Sequence, residues 1–137
     1  MICLLLGTNL GEREKNLARA RTLLTEKLGV VLRCSGIMET EAVGFDGADF
    51  LNQIVCFEKE MDPFDLLGLT QSCEAEMGRE PHSAEYDRDG KRIYKDRIID
   101  IDILTFNDLQ ICTERLTLPH PQVWGRPFVK ELMKQLK

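Results

Sequence analysis

From Ile99 to Ile103 the chain alternates strictly between isoleucine and aspartate, within Lys95-Asp96-Arg97-Ile98-Ile99-Asp100-Ile101-Asp102-Ile103-Leu104. Period-two alternation of β-branched and polar residues specifies a strand with one buried face. Residues i and i+2 of a strand point the same way, about 6–7 Å apart. Asp100 and Asp102 therefore project two carboxylates from one patch, with isoleucines packed behind them. Adjacent like charges repel and aspartate is a poor strand former, so the pattern is costly unless something neutralises it. A metal or acid/base role stands beside the plainer alternative of a solvated sheet face. For a metal, all-oxygen ligands with water and phosphate completing the shell favour magnesium.

The rest of the chain frames that strand. Ile2–Leu6 is a short apolar run suited to a strand covered on both faces, and Gly7-Thr8-Asn9-Leu10-Gly11 follows as a turn. Glu12 to Leu28 has helical spacing, with Leu17, Ala20, Leu24 and Leu28 on one stripe, and Gly29 stops it. Val30–Ser35 reads as a second strand continuing irregularly to Thr40, Glu41–Asp49 as a loop, and Gln53–Glu60 as a third strand. Asp62-Pro63 opens a second helix that runs to about Met77, with Leu66, Leu69 or Thr70, Cys73 and Met77 inward. Arg79–Asp96 is charged and lacks apolar periodicity, and such long loops in small domains are usually functional or mobile. After the aspartate strand come a hairpin turn at Asn107-Asp108, a short partner strand at Leu109–Cys112, the rigid Leu118-Pro119-His120-Pro121, and a last helix over Arg126–Leu136. The order β-α-β-β-α-β predicts an α+β, ferredoxin-like antiparallel sheet with helices on one face, plus a hairpin strand and a C-terminal helix. A single domain spans residues 1–137.

Composition narrows the partners. The 137 residues are 43% apolar with a net charge of −5, enough for one core and unfavourable for nucleic acid. The five cysteines form no CxxC pair and mostly lie in apolar runs, so they read as buried free thiols in a reducing compartment, without zinc or disulfides. Met1–Leu6 is too short for a signal peptide and no apolar run reaches membrane-spanning length. A cytoplasmic protein with no membrane association is expected.

Arg97 precedes Asp100 by three residues, and Arg115 and Arg126 lie downstream near His120. Guanidinium groups beside paired acids suit phosphate held by arginine while a metal bridges phosphate and carboxylate. For any one arginine a salt bridge is the simpler reading, whereas several beside a charged loop tilt the balance to phosphate. His120, alone between two prolines, reads more readily as structural. Gln71 and Glu74 share a helix face away from the Leu66 stripe, taken alone a solvated face. Phe50-Leu51-Asn52 could sandwich and hydrogen-bond a flat heterocycle, or simply close a loop. There is no GxGxxG and no Walker motif, so ATP would bind without a P-loop.

These residues together resemble the 6-hydroxymethyl-7,8-dihydropterin pyrophosphokinase family almost end to end. The resemblance is carried by Leu6-Gly7-Thr8-Asn9-Leu10-Gly11, Phe50-Leu51-Asn52, Glu74 through Gly78-Arg79, Arg97 through Leu104, Leu118-Pro119-His120-Pro121 and Arg126-Pro127-Phe128-Val129. It implies transfer of the β,γ-pyrophosphoryl group of ATP to the pterin hydroxymethyl oxygen, with release of AMP, in folate biosynthesis. By the same resemblance Asp100 and Asp102 bind two magnesium ions. Gln71, Glu74, Arg79, Tyr94, Arg97, Ile103, Arg115, Thr117, His120 and Arg126 surround ATP. Thr40, Val43, Gly44, Phe50, Asn52 and Phe128 form the pterin pocket, and Arg79–Asp96 is a catalytic lid. The small-molecule substrates are then the only partners, and the protein acts as a monomer.

Three departures from the family pattern stand out. Pro81 occupies the place of the second lid arginine, leaving Arg88 or Arg92 to substitute, with Arg92 counted here among the catalytic residues beside Arg97. Glu41-Ala42 replace the usual prolines of the pterin loop, and Tyr94 stands where the family has tryptophan. The family's customary C-terminal extension is missing after Lys137, so a C-terminally short form is expected. An active pyrophosphokinase is the first expectation. A catalytically weak paralogue that binds nucleotide or pterin is the alternative, with a bare interaction module third.

Overall fold

The computed structural model describes residues 1–41, 48–78 and 98–136, together with the backbone of two short strands at 85–86 and 92–93. The strand β1 (Ile2–Thr8) is the middle of the sheet and every residue in it is buried. It pairs antiparallel with β4 (Phe50–Phe57) on one side and with β7 (Asp100–Phe106) on the other. The outer edge of β4 takes two short segments, β2 (Arg33–Cys34) and β3 (Met38–Thr40). The resulting order, β2-β4-β1-β7 with β3 beside β4, is the ferredoxin-like sheet that the element order predicted.

Register assigns each sheet face a different duty. Ile2, Leu4, Leu6, Leu51, Val55, Phe57, Ile101 and Ile103 point to one side. There they pack against α1 (Arg13–Leu28) through Leu17, Ala20, Leu24 and Leu28, and against α2 (Pro63–Glu76) through Leu66 and Cys73. Each such side chain, fully buried, contributes about 1.5–3 kcal/mol, so this layer dominates the fold's stability. Asp62 caps α2 as its sequence foretold, accepting the Phe64 N–H at 2.8 Å ahead of Pro63. Gly29 ends α1 at φ +94°, a backbone region that favours glycine.

The opposite face carries Cys3, Leu5, Ile54, Cys56 and Leu104, covered by the helix α4 (Pro127–Lys134) and its extension through Val129, Leu132 and Leu136. A seven-residue strand is about 23 Å long, whereas eight helical residues rise only about 12 Å. The helix therefore covers only part of this face. The other half of the face is where the same strands bring Gly7, Asn52, Asp100 and Asp102.

Several expectations are corrected. Leu109–Cys112 does not partner the aspartate strand: β8 (Ile111–Cys112) pairs with β9 (Thr117–Leu118) in a separate hairpin. The segment expected as one continuous loop holds a two-stranded hairpin, β5 (Glu85–Tyr86) with β6 (Arg92–Ile93). Pro119 follows a cis peptide bond, and a short helix α3 (Gln122–Gly125) precedes α4. Cys34 and Cys112 are exposed, while Cys3, Cys56 and Cys73 are the buried thiols expected of all five. The bounds of the third strand shift too, because Phe50–Asn52 are already paired with β1 and β3. No helix among the described residues is long and apolar enough to cross a membrane.

Candidate active site

Gly7 is the hub of this other half of the face. Its register partners are Asn52 on β4 and Asp100 on β7, and residues directly opposite on antiparallel strands share a face. Asn52, Gly7 and Asp100 thus form one row across three strands. Asp102, two residues on, is level with Leu5, where the apolar half begins. A side chain at Gly7 would stand 3.4 Å from Asn52 Oδ1 and 3.7 Å from Phe50, so glycine keeps this floor low.

At the β4 end, the Asn52 side-chain amide donates to the Met38 carbonyl at 3.1 Å and to Thr40 Oγ1 at 2.9 Å. Thr40 is the register partner of Phe50. Three of the expected pterin residues, Thr40, Phe50 and Asn52, therefore come together on one sheet corner. The loop beyond Thr40 is tied down at its far end. Asn9 Nδ2 donates to the Ala48 carbonyl at 3.0 Å, and Arg13 Nη1 donates to the Asp49 carbonyl at 2.7 Å and to Glu39 at 3.0 Å. Val43 and Gly44 lie outside the described residues.

At the β7 end, Asp100 and Asp102 are half-buried while Ile99, Ile101 and Ile103 are buried, the alternation read from sequence. The chain returns past them after β9. His120 N–H donates to the Leu104 carbonyl at 2.8 Å, docking the Pro-His-Pro corner onto β7. His120 Nδ1 accepts the Gln122 N–H at 3.2 Å, which holds the imidazole as a neutral ring with an unprotonated Nδ1. Burial pushes the His120 pKa below its ordinary value, opposed by the nearby Asp100 charge and reinforced by Arg126.

Gln122, passed over in the sequence, is buried and reaches Asp102: its Nε2 donates to Asp102 Oδ2 at 2.9 Å, and its Oε1 accepts from Arg126 Nη1 at 3.0 Å. The Arg126 guanidinium lies over the Phe128 ring, 4.5 Å from its centroid, a cation–π contact. Asp102, Gln122, Arg126 and Phe128 form one chain of contacts. No local sequence pattern pointed to Gln122.

Glu74 corrects its own reading. It is 3% exposed, not on a solvated face, and its Oε2 accepts the Ile101 N–H at 2.9 Å. Gln71 is exposed one turn earlier on α2. Ile103 is buried beneath the row, Thr117 is half-buried on β9, and Arg115 lies over Phe64, 5.7 Å from its centroid. Arg79, Tyr94 and Arg97 lie outside the described residues, as does the side chain of Arg92.

The floor of this half-face thus carries an amide–aromatic corner at one end and paired carboxylates with a buried amide, a histidine and an arginine at the other. Comparison with known proteins supplies the context. The family profile described as 7,8-dihydro-6-hydroxymethylpterin-pyrophosphokinase (HPPK) matches residues 3–137. The 2-amino-4-hydroxy-6-hydroxymethyldihydropteridine pyrophosphokinase of Porphyromonas gingivalis is 39% identical over 132 residues, covering 95% of this chain and 86% of that protein. The Bacillus subtilis protein of the same name is 41% identical over 126 residues, 90% of this chain and 70% of its own. A folate synthesis bifunctional protein of Arabidopsis thaliana is 33% identical over 129 residues, 93% of this chain but 25% of that longer protein. With the profile and two such relatives spanning nearly its whole length, this chain belongs to the 7,8-dihydro-6-hydroxymethylpterin-pyrophosphokinase family.

Proposed function

We propose that the half-face carrying Gly7, Asn52, Asp100 and Asp102 is where this pyrophosphokinase moves the β,γ-pyrophosphoryl group from ATP to the hydroxymethyl oxygen of the dihydropterin. The activity itself, pyrophosphate transfer from ATP to hydroxymethyldihydropterin in folate synthesis, comes with the family. The single observation that carries the site is that Asn52 and Asp100 are both opposite Gly7. A pterin bound at the Asn52 corner and phosphates bound at the aspartate corner then share one floor, with acceptor oxygen and phosphorus brought side by side.

Each group has a task in that reading. Phe50 and Phe128 stack on the flat pterin, while Asn52, held by Thr40 and Met38, hydrogen-bonds its edge, with Val43 and Gly44 completing the pocket. Arg126 and Arg115 hold phosphate oxygens with Arg97, Arg92 and Arg79, and Gln71, Tyr94, Ile103, Thr117 and His120 surround the nucleotide. Glu74 acts from beneath, through the strand backbone.

The donor set fits magnesium. Asp100 and Asp102 are two half-exposed carboxylates on one face. Magnesium is held in that manner, by one or two carboxylates with phosphates and water filling the shell. Two magnesium ions held there supply neutralisation of the triphosphate charge. Transfer of this kind passes through a loose transition state, so the protein's work is alignment and charge compensation. The chain is read as a cytoplasmic monomer.

The test is AMP formation from ATP and 6-hydroxymethyl-7,8-dihydropterin with and without magnesium, in the wild type and in Asp102→Ala. Pterin- and magnesium-dependent AMP is expected, with a loss of at least ~100-fold in the folded variant. Unchanged turnover in Asp102→Ala would remove the aspartates from the site. Binding of ATP or pterin without AMP would point to a binding protein.

A further inference from the structure

We propose that Gln122 is a positioning residue that couples the divalent-cation site to the phosphate-binding arginine, so that metal and nucleotide bind interdependently. The inference rests on the reading of Asp102 as a magnesium ligand and goes beyond it by giving a role to a residue outside that set.

A glutamine opening a four-residue surface helix is ordinarily solvated, yet Gln122 is 7% exposed. Its two partners permit a single amide orientation. Only the NH2 group can donate to the Asp102 carboxylate, and only the carbonyl can accept from the Arg126 guanidinium. Turning the amide over would set oxygen against oxygen and N–H against N–H. The 2.9 Å and 3.0 Å bonds therefore work as a rigid strut of fixed polarity.

The strut acts at both ends. At Asp102 it engages Oδ2 and fixes the plane of the carboxylate that would bind a cation. At Arg126, an exposed side chain, it works with the Phe128 ring to hold the guanidinium in place, lowering the rotamer entropy lost when phosphate binds. A triphosphate that engages both the cation and Arg126 then meets two groups whose relative position is already set. Partners of this kind that orient a metal ligand typically change metal affinity ~10–100-fold.

The experiment uses the 137-residue chain and Gln122→Met, which keeps length but removes both polar ends. Gln122→Glu, which keeps the Arg126 bond and sets a charge against Asp102, is the second variant. Binding of an ATP analogue with a methylene bridge between the α and β phosphorus atoms is measured by calorimetry across a magnesium series. Magnesium alone is followed by the fluorescence of Trp124, the single tryptophan, two residues from Gln122. The expected result is a ~10–100-fold rise in half-saturating magnesium for Gln122→Met, with wild-type thermal stability nearly kept. The affinity loss caused by Arg126→Ala should also shrink in the Gln122→Met background, because coupled residues are non-additive.

A wild-type magnesium midpoint in Gln122→Met, with an undiminished Arg126→Ala effect, overturns the proposal and leaves the metal site standing. If Gln122→Met does not fold, an unchanged magnesium midpoint in Gln122→Glu overturns it equally. A wild type whose analogue binding ignores magnesium overturns the metal reading itself.

Discussion

The Glu74 carboxylate, carried by a helix, accepts the backbone N–H of Ile101 at 2.9 Å, between the two aspartates of β7. Because β7 gives its other edge to β1, this bond replaces the ladder partner that an edge strand lacks. Charge-assisted bonds to backbone amides are roughly twice as strong as neutral ones. The helix therefore fixes the backbone from which Asp100 and Asp102 project.

Glu74→Ala should cost about 2 kcal/mol, since it leaves a buried donor unpaired. Glu74→Gln keeps an acceptor and should cost about half as much. Urea unfolding checks this as a fall in midpoint at constant slope. A loss well under about 1 kcal/mol in Glu74→Ala would show that the carboxylate–amide bond contributes nothing to stability.

Gly7→Ala is predicted to separate fold from function. The added carbon meets Asn52 Oδ1 at 3.4 Å and Phe50 at 3.7 Å, ordinary contact distances, so the melting temperature should move by only a few degrees. It nevertheless fills the floor shared by the proposed pterin and phosphate ends. Dihydropterin KM should rise by about 10-fold, a cost of ~1.4 kcal/mol, and Gly7→Val should abolish binding. Unaltered pterin kinetics in Gly7→Ala would place the pterin elsewhere.

The sheet was legible because its signals are periodic. The Ile/Asp alternation gave β7 its faces, and the leucines of α1 gave that helix its buried stripe, as found. Pairing of short strands was not legible: Ile111–Cys112 could close on β7 or on Thr117–Leu118, and two-residue strands carry no period to choose between them. Glu74 was misread because a carboxylate on the polar side of a helix wheel normally faces water. Its burial depends on a neighbouring backbone amide that no local pattern announces. Gln122 escaped for the same reason, since its partners Asp102 and Arg126 lie 20 residues before it and 4 after it. The family likeness supplied the proposed roles of residues, such as Thr40 and Phe50, that spacing alone left ambiguous.

His120 gives the stability a pH dependence of definite sign. Burial lowers its folded-state pKa below 6.5. Above pH 6.5 both folded and unfolded chains hold the imidazole neutral, and it makes no difference. As the pH falls through 6.5 the unfolded chain binds the proton first, so stability drops until the folded-state pKa is passed. Protonation would also cost the Gln122 N–H bond at Nδ1. His120→Asn should flatten this part of the stability–pH curve measured by urea unfolding between pH 7.5 and 5. A variant curve that keeps the wild-type slope would assign the dependence to other groups.

Thiol labelling pits reactivity against access. Cys3 and Cys56 are register partners with sulfurs 2.9 Å apart. The bond from Cys56 lowers the Cys3 pKa to about 6, against the opposing effect of burial, and raises that of Cys56. A lowered pKa raises the thiolate fraction of Cys3 near neutral pH and with it the intrinsic reactivity. Both sulfurs are buried beneath the C-terminal helix, however, and a global stability of even about 5 kcal/mol restricts exposure to fewer than ~1 molecule in 1,000. Access should win. Native-state alkylation followed by mass spectrometry should modify Cys34 and Cys112 rapidly and leave Cys3, Cys56 and Cys73 unmodified until denaturant is added, when all five react. Fast native labelling of Cys3 would mean that the helix Pro127–Lys134 opens locally, far below the cost of global unfolding.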